Sequence, residues 1–215
     1  MPEKAVTSFV KQRQQYRGRD YLCCTITYHL APVLETHRPA VMLSLGNDRR
    51  RLFTLWEENK YVFFPSGKLY FYELMKTGKH VFVLFYHIQY LTRIMQQENT
   101  RSFLKLFGYD GQLTLPEALK QLGKRFRQGG CPPEVGAFLG IPLDDIKGFI
   151  VHRGKNYKAC GSWKVYSDLQ QADIIFSRSE EAKTRFVNFI NQGYPPGDYL
   201  RIHSSWEPGV APTVK

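Results

Sequence analysis

Long apolar runs are missing from this chain. No stretch approaches the roughly 20 consecutive apolar residues that a membrane-spanning helix needs, so no transmembrane segment is expected. The first sixteen residues are mostly polar and show no charged-then-apolar leader with a cleavage site. Cysteine is scarce: Cys23 and Cys24 are adjacent, Cys131 and Cys160 are remote, and no Cys-x-x-Cys or His-x-x-x-His spacing occurs. A structural zinc site is therefore not expected, nor any other metal. A cytoplasmic location with reduced thiols is the default. Also absent are GxxxxGK[ST], GxGxxG after a strand, GxSxG and HExxH. Nucleoside-triphosphatase, dinucleotide-binding and metalloprotease readings fall with them, and nothing points to a particular cofactor. There is no internal repeat and no low-complexity tract, and nothing bears on oligomeric state.

Negative charge is also in short supply. Nineteen acidic residues face thirty lysines and arginines, giving a net charge of +11 and a pI near 9.5. Such an excess is either a solvated basic surface or an attraction for polyanions and phosphorylated ligands. Apolar residues make up 43% of the 215 residues and aromatics 14%, which excludes overall disorder and supplies a full core.

Residues 1–19 carry Lys4, Lys11, Arg13, Arg17 and Arg19 with few apolar residues, and read as a mobile or loosely docked basic arm. Residues 20–30 are apolar enough for a buried helix that Pro32 interrupts. AVMLSL (40–45), closed by Gly46 and Asn47, suits a buried strand, and Asn47 or Asp48 can cap a helix to about Asn59. Residues 68–75 and 80–87 flank Lys76-Thr77-Gly78-Lys79 as a β-hairpin. Residues 88–107 read as helix with a break near Asn99. Thr114, Pro116 and Glu117 announce a helix over 114–126 with a capping box, one face apolar and the other carrying Lys120, Lys124, Arg125 and Arg127.

Short helices follow at Pro133–Leu139 and Leu143–His152, the second with Asp144 and Asp145 in its first turn and a stop at Gly154. An irregular loop and a strand near Ser162–Tyr166 come next. Asp168 caps one helix and Ser179 opens another to about Asn191. The proline-containing tail, 194–215, reads as extended and partly disordered. The expected class is α+β: a single, mainly helical domain over 20–193 with a small sheet that includes the hairpin.

The run CPPEVGAFLGIPLDDIKGFIVHRGKNYKACGSWKVYSD, together with HLAPVLETHRPAVMLSL upstream, resembles the DUF3793 family, bacterial proteins of unknown function. The resemblance covers roughly residues 20–176. The family pattern is Pro-His-Glu followed by Leu-Gly-Tyr-Pro; here stand Pro132-Pro133-Glu134 and Leu139-Gly140-Ile141-Pro142. Glu134, Gly140 and Pro142 match, while Pro133 and Ile141 replace the His and the Tyr. If that His were a general base, this chain would be inactive. The resemblance implies no established activity.

GKNYKACGSWKVY (154–166) concentrates the remaining chemistry. Lys155 and Lys158 supply charge, Asn156 polar contacts, and Tyr157 and Trp163 faces for stacking a ring. Cys160 becomes a nucleophile if nearby lysines lower its pKa. The plainer reading gives glycines for turns, Trp163 and Tyr166 for packing, and Cys160 as a small buried apolar residue. Glu134 is either a helix N-terminal charge or a buried acid paired with Lys147 or Lys164. Cys160, His29 and Glu134 form the catalytic candidate.

Three functions follow. The first is a binding protein or enzyme for an anionic or aromatic small molecule, with a concave site in the 131–166 module built from Lys147, Lys155, Asn156, Tyr157, Trp163 and Lys164 near Glu134. The alternatives are a protein-partner-binding role through the arm and tail, and nucleic-acid binding without catalysis.

Overall fold

The computed structural model describes residues 2–63, 67–110 and 113–204. Chain order begins with α1 (Pro2–Gln15), α2 (Gly18–Glu35), β1 (Ala40–Gly46), α3 (Leu52–Phe63), β2 (Leu69–Lys76) and β3 (His80–His87). It continues with α4 (Ile88–Gln96), α5 (Glu98–Lys105), α6 (Leu115–Gly129), α7 (Val135–Phe138) and α8 (Leu143–Val151). A small hairpin, β4 (Ala159–Cys160) and β5 (Lys164–Val165), precedes α9 (Leu169–Asn191) and α10 (Pro196–Ser204). The class is α+β, mainly helical with a small antiparallel sheet that includes the hairpin.

The three long strands pair antiparallel in the order β1-β3-β2. Alternation along β3 sends Val81, Val83 and Phe85 to one core and Leu84 and Tyr86 to another. The first core is covered by α2, α3, α9 and α10, the second by α4 to α8. A bulge between Glu73 and Met75 lets Leu74 and Met75 both serve the second core. On the first face Trp56 meets Phe71 and Phe85 edge-on at 4.9 and 5.3 Å, and its indole N–H donates to Glu73 at 2.8 Å. Lys60 reaches the same carboxylate at 2.8 Å and Glu57 at 3.1 Å, tying α3 to β2.

Helix α2 is apolar nearly all round because α9 and α10 both pack on it, the condition of a buried helix. That burial carries the helix through Pro32 to Glu35, beyond the break expected at the proline. Thr36 closes the end, its N–H and hydroxyl both donating to the Pro32 carbonyl at 3.0 and 2.7 Å. Residues 2–15, read as a loose arm, form a helix whose Phe9 is buried and stacks on Tyr28 at 3.8 Å. Phe9 and Arg13 lie four residues apart on one face, a spacing that is hard to distinguish in a short basic segment.

The break expected near Asn99 falls at Gln97, between α4 and α5. The capping box of α6 is present: the Thr114 N–H and hydroxyl meet Glu117 at 2.8 and 2.6 Å. Asn47 accepts from the Thr54 N–H at 3.0 Å, but α3 begins only at Leu52 and runs past Asn59 to Phe63. Ser179 opens no new helix. Its hydroxyl bonds back to the Ile175 carbonyl at 2.8 Å inside the continuous α9. The tail, expected to be extended, is helical at Pro196–Ser204, with Tyr199 packed on Phe186 and Phe189. The rest of it, 205–215, lies outside the described residues.

Phe85 is fully buried and touches the ring of Trp56. Phe85→Ala is expected to cost about 3–5 kcal/mol of stability through lost burial and an unfilled cavity. Urea unfolding followed by tryptophan fluorescence measures it.

Candidate functional site

The 131–166 segment is organised around one carboxylate. Asp145, in the first turn of α8, is 1% exposed. One oxygen accepts from the Trp163 indole N–H at 2.7 Å. The other accepts from the Tyr166 N–H at 2.8 Å, the Ser167 N–H at 2.7 Å and the Ser167 hydroxyl at 2.8 Å. Desolvation opposes ionisation, but the hydrogen bonds from Tyr166, Ser167 and Trp163 outweigh it and hold the carboxyl below its ordinary range. The residue read as a helix N-terminal charge thus fastens the β4–β5 hairpin and its exit to α8. Gly148 permits the contact, since a Cβ there would sit 2.5 Å from the Tyr166 Cβ.

Trp163 is buried. Phe176 meets it edge-on at 4.4 Å, and Val165 and Ala172 complete its small core. The Arg38 guanidinium carbon lies 6.0 Å from the centroid of its ring. Gly140 explains how Arg38 arrives there. With φ at +72°, it brings the Leu139–Pro142 turn so close to Pro39 that a Cβ would be 2.7 Å from that ring. Arg38 is half-buried, and burial alone pulls its pKa below the ordinary arginine range. Among the described residues no hydrogen bond or ion pair reaches its guanidinium. Sequence reasoning missed Arg38, which stands in a plain His-Arg-Pro linker before β1.

Glu134 pairs with neither Lys147 nor Lys164. It is 0% exposed and forms an ion pair with Arg125 of α6, whose Nη2 also lies 3.4 Å from the second carboxylate oxygen. Arg125 rests 5.6 Å from the Phe107 ring. Burial, then the Glu134 charge, pushes the Tyr109 phenol above its usual range. Helical periodicity turns Arg125 away from the solvated side of α6 toward the segment after Gly130, so the expected partners were on the wrong element.

The remaining candidates are dispersed. Lys147 pairs with Asp144 at 3.1 Å on an exposed turn. Lys164 donates to the Gly154 carbonyl at 2.7 Å and lies 4.9 Å from the Tyr157 ring centroid, covering one face of that exposed ring. Lys155 and Asn156 are exposed, Asn156 with φ at +56°. Cys160 is exposed in β4, so it is not the packed apolar residue considered above.

His29 lies in α2 against Tyr28, and burial, Lys183 and Arg13 push its pKa down to about 4. Among the described residues, no hydrogen bond or ion pair joins His29, Glu134 and Cys160. Two grooves lie among α4 to α8. One, of about 230 Å³, is lined by Gln97, Asn99, Thr100 and the Gly140–Leu143 turn. The other, of about 390 Å³, is lined by Lys120, Lys124 and Arg127 with Asp110 and Glu117.

This arrangement defines a helical α+β protein with a braced hairpin and, beside it, an arginine that has no acidic partner among the described residues. Residues 26–198 match DUF3793, a family described as protein of unknown function, and the chain belongs to that family. No curated protein and no solved structure matches it. Among the described residues no helix is long and apolar enough to cross a membrane.

Asp145→Ala strips an ionised acceptor from one buried and three partly buried donors and is expected to destabilise the fold by about 3 kcal/mol. Because the folded carboxyl titrates below its ordinary value of 3.8, this contribution is complete above that pH and fades as pH falls through the folded value. Acid unfolding of the wild type should therefore be steeper than that of Asp145→Ala, with tryptophan emission as the probe.

Arg125→Met leaves the Glu134 carboxylate buried without its partner and is expected to cost about 3–5 kcal/mol. Replacing both by Met and Gln should recover part of that loss, and a double-mutant cycle in urea reads the coupling.

Proposed function

We propose that this protein binds a small anionic molecule, bearing a carboxylate or a phosphate, at Arg38 beside Trp163. One observation carries the reading: a half-buried guanidinium with no acidic partner among the described residues, in a protein where the buried Glu134 has its arginine and the buried Asp145 its four hydrogen-bond donors. A cation taken partly out of water without compensation is destabilising, and an anionic ligand would supply the missing partner. Arginine suits the task because its planar fork meets a carboxylate or phosphate with two parallel hydrogen bonds.

In this reading Trp163 does not stack the ligand. Its ring is packed by Phe176 and its N–H is held by Asp145, so it acts as the fixed floor under Arg38. Lys155, Asn156, Tyr157, Lys164 and Lys147 belong to the surrounding surface, where the three lysines raise the local concentration of anions. The chemistry proposed is binding, since the reading calls on no nucleophile or general base.

A thermal-shift comparison of wild type and Arg38→Met with phosphate, pyrophosphate, citrate and a nucleoside monophosphate tests the proposal. Without ligand, Arg38→Met is expected to melt at the wild-type temperature or above it, because an uncompensated charge has been removed. One of the anions should raise the wild-type melting temperature and leave the variant unmoved. Equal shifts in both proteins, or no shift in either, would overturn it.

A further inference from the structure

Six arginines stand on three segments that come together around Tyr21. Arg13 ends α1, Arg17 and Arg19 stand at the start of α2, and Arg49, Arg50 and Arg51 follow one another between β1 and α3. Tyr21 joins the two groups: the Arg13 and Arg50 guanidinium carbons lie 5.4 and 4.9 Å from the centroid of its ring. The Arg13 Nε is buried with no hydrogen-bond partner. Arg17 bends back to the Gln14 and Tyr16 carbonyls over the junction between α1 and α2.

The arginine loop is held in place. Asn47 N–H donates to the Lys79 carbonyl at 3.1 Å, which sets the hairpin turn and the exposed Lys79 beside it. The Asp48 side chain accepts from the Arg50 N–H at 2.9 Å, and its carbonyl accepts from the Arg51 N–H at 3.1 Å. The acids near these arginines in sequence are Asp20 and Asp48, and the Asp48 carboxylate is already engaged.

We infer that this arginine cluster binds the phosphodiester backbone of nucleic acid without reading its sequence. Guanidinium groups carried on neighbouring segments can meet successive phosphates, each by a charge-assisted and often bidentate contact. Tyr21 is buried beneath the arginines, so it offers no open face for stacking a base. The affinity is accordingly electrostatic and falls steeply with salt.

Fluorescence anisotropy with a labelled duplex DNA and a labelled single-stranded RNA, each about 20 nucleotides long, tests the inference from about 50 mM salt upward. The wild type is expected to bind at least one of the two. Two variants probe the cluster: Arg49→Ala/Arg50→Ala/Arg51→Ala, and Arg17→Ala/Arg19→Ala as a second route if the first folds poorly. Each should weaken binding about 10-fold or more, and the salt slope on duplex should flatten by about 0.9 for each phosphate that the variant no longer neutralises.

Arg38→Met should bind nucleic acid as the wild type does, which separates this surface from the small-anion site. The inference is overturned if neither probe binds at low salt, or if a folded arginine variant binds unchanged. It is also overturned if Arg38→Met abolishes binding, or if polyglutamate of equal charge competes as well as nucleic acid does.

Discussion

Strand β3 turns neither face to water. Val81, Val83 and Phe85 enter one core while Leu84 and Tyr86 enter the other, and the strand is paired on both edges by β1 and β2. A strand in that position needs a helical layer over each side, because every apolar side chain it carries must find a partner. The helices follow from this demand. Two connected groups cover the first face, α1 to α3 and α9 to α10, and the intervening α4 to α8 cover the second. Residues 135–146 therefore belong to the second layer, while Trp163 and Val165 of the following hairpin form a small core of their own against α9.

Buried charge shows the same economy. Asp145 is solvated by one indole, two backbone N–H groups and a hydroxyl, and has no cation among those partners. Glu134 relies on Arg125, which keeps contact with solvent while it neutralises a fully buried carboxylate. These are two solutions to the same desolvation problem, one by dipoles and one by countercharge. Among the described residues Arg38 has neither, which sets it apart from these two carboxylates.

Elements with strong local chemistry were legible in the sequence. The capping box of α6, the hairpin around Thr77 and Gly78, the β1 strand closed by Gly46 and the Asp168 cap all appear where their residues placed them. Failures came where tertiary contact overrode local preference. Pro32 stays inside α2 because that helix is buried between α9 and α10. Ser179 satisfies its hydroxyl inside α9 instead of capping a new helix, and Phe9 anchors a segment whose composition resembles a loose arm. At the site, the 154–166 segment was recognisable as glycine-shaped and aromatic. Its organising group, Asp145, and its unpaired cation, Arg38, were not, because each acquires its meaning from partners that are remote in sequence.

The positive charge of the chain is physically of two kinds. Arg38 is single, half-buried and set on a packed indole, so its field acts at short range through a medium that salt screens weakly. Such a group favours a compact ligand whose own charge can be desolvated with it. The arginines around Tyr21 are several and mostly exposed, and each alone contributes little in water. Their strength would lie in number, which would favour a polymer able to occupy several at once. Salt sensitivity would therefore tell binding at the two surfaces apart: counterion release would govern binding at the exposed array, and desolvation binding at the half-buried guanidinium.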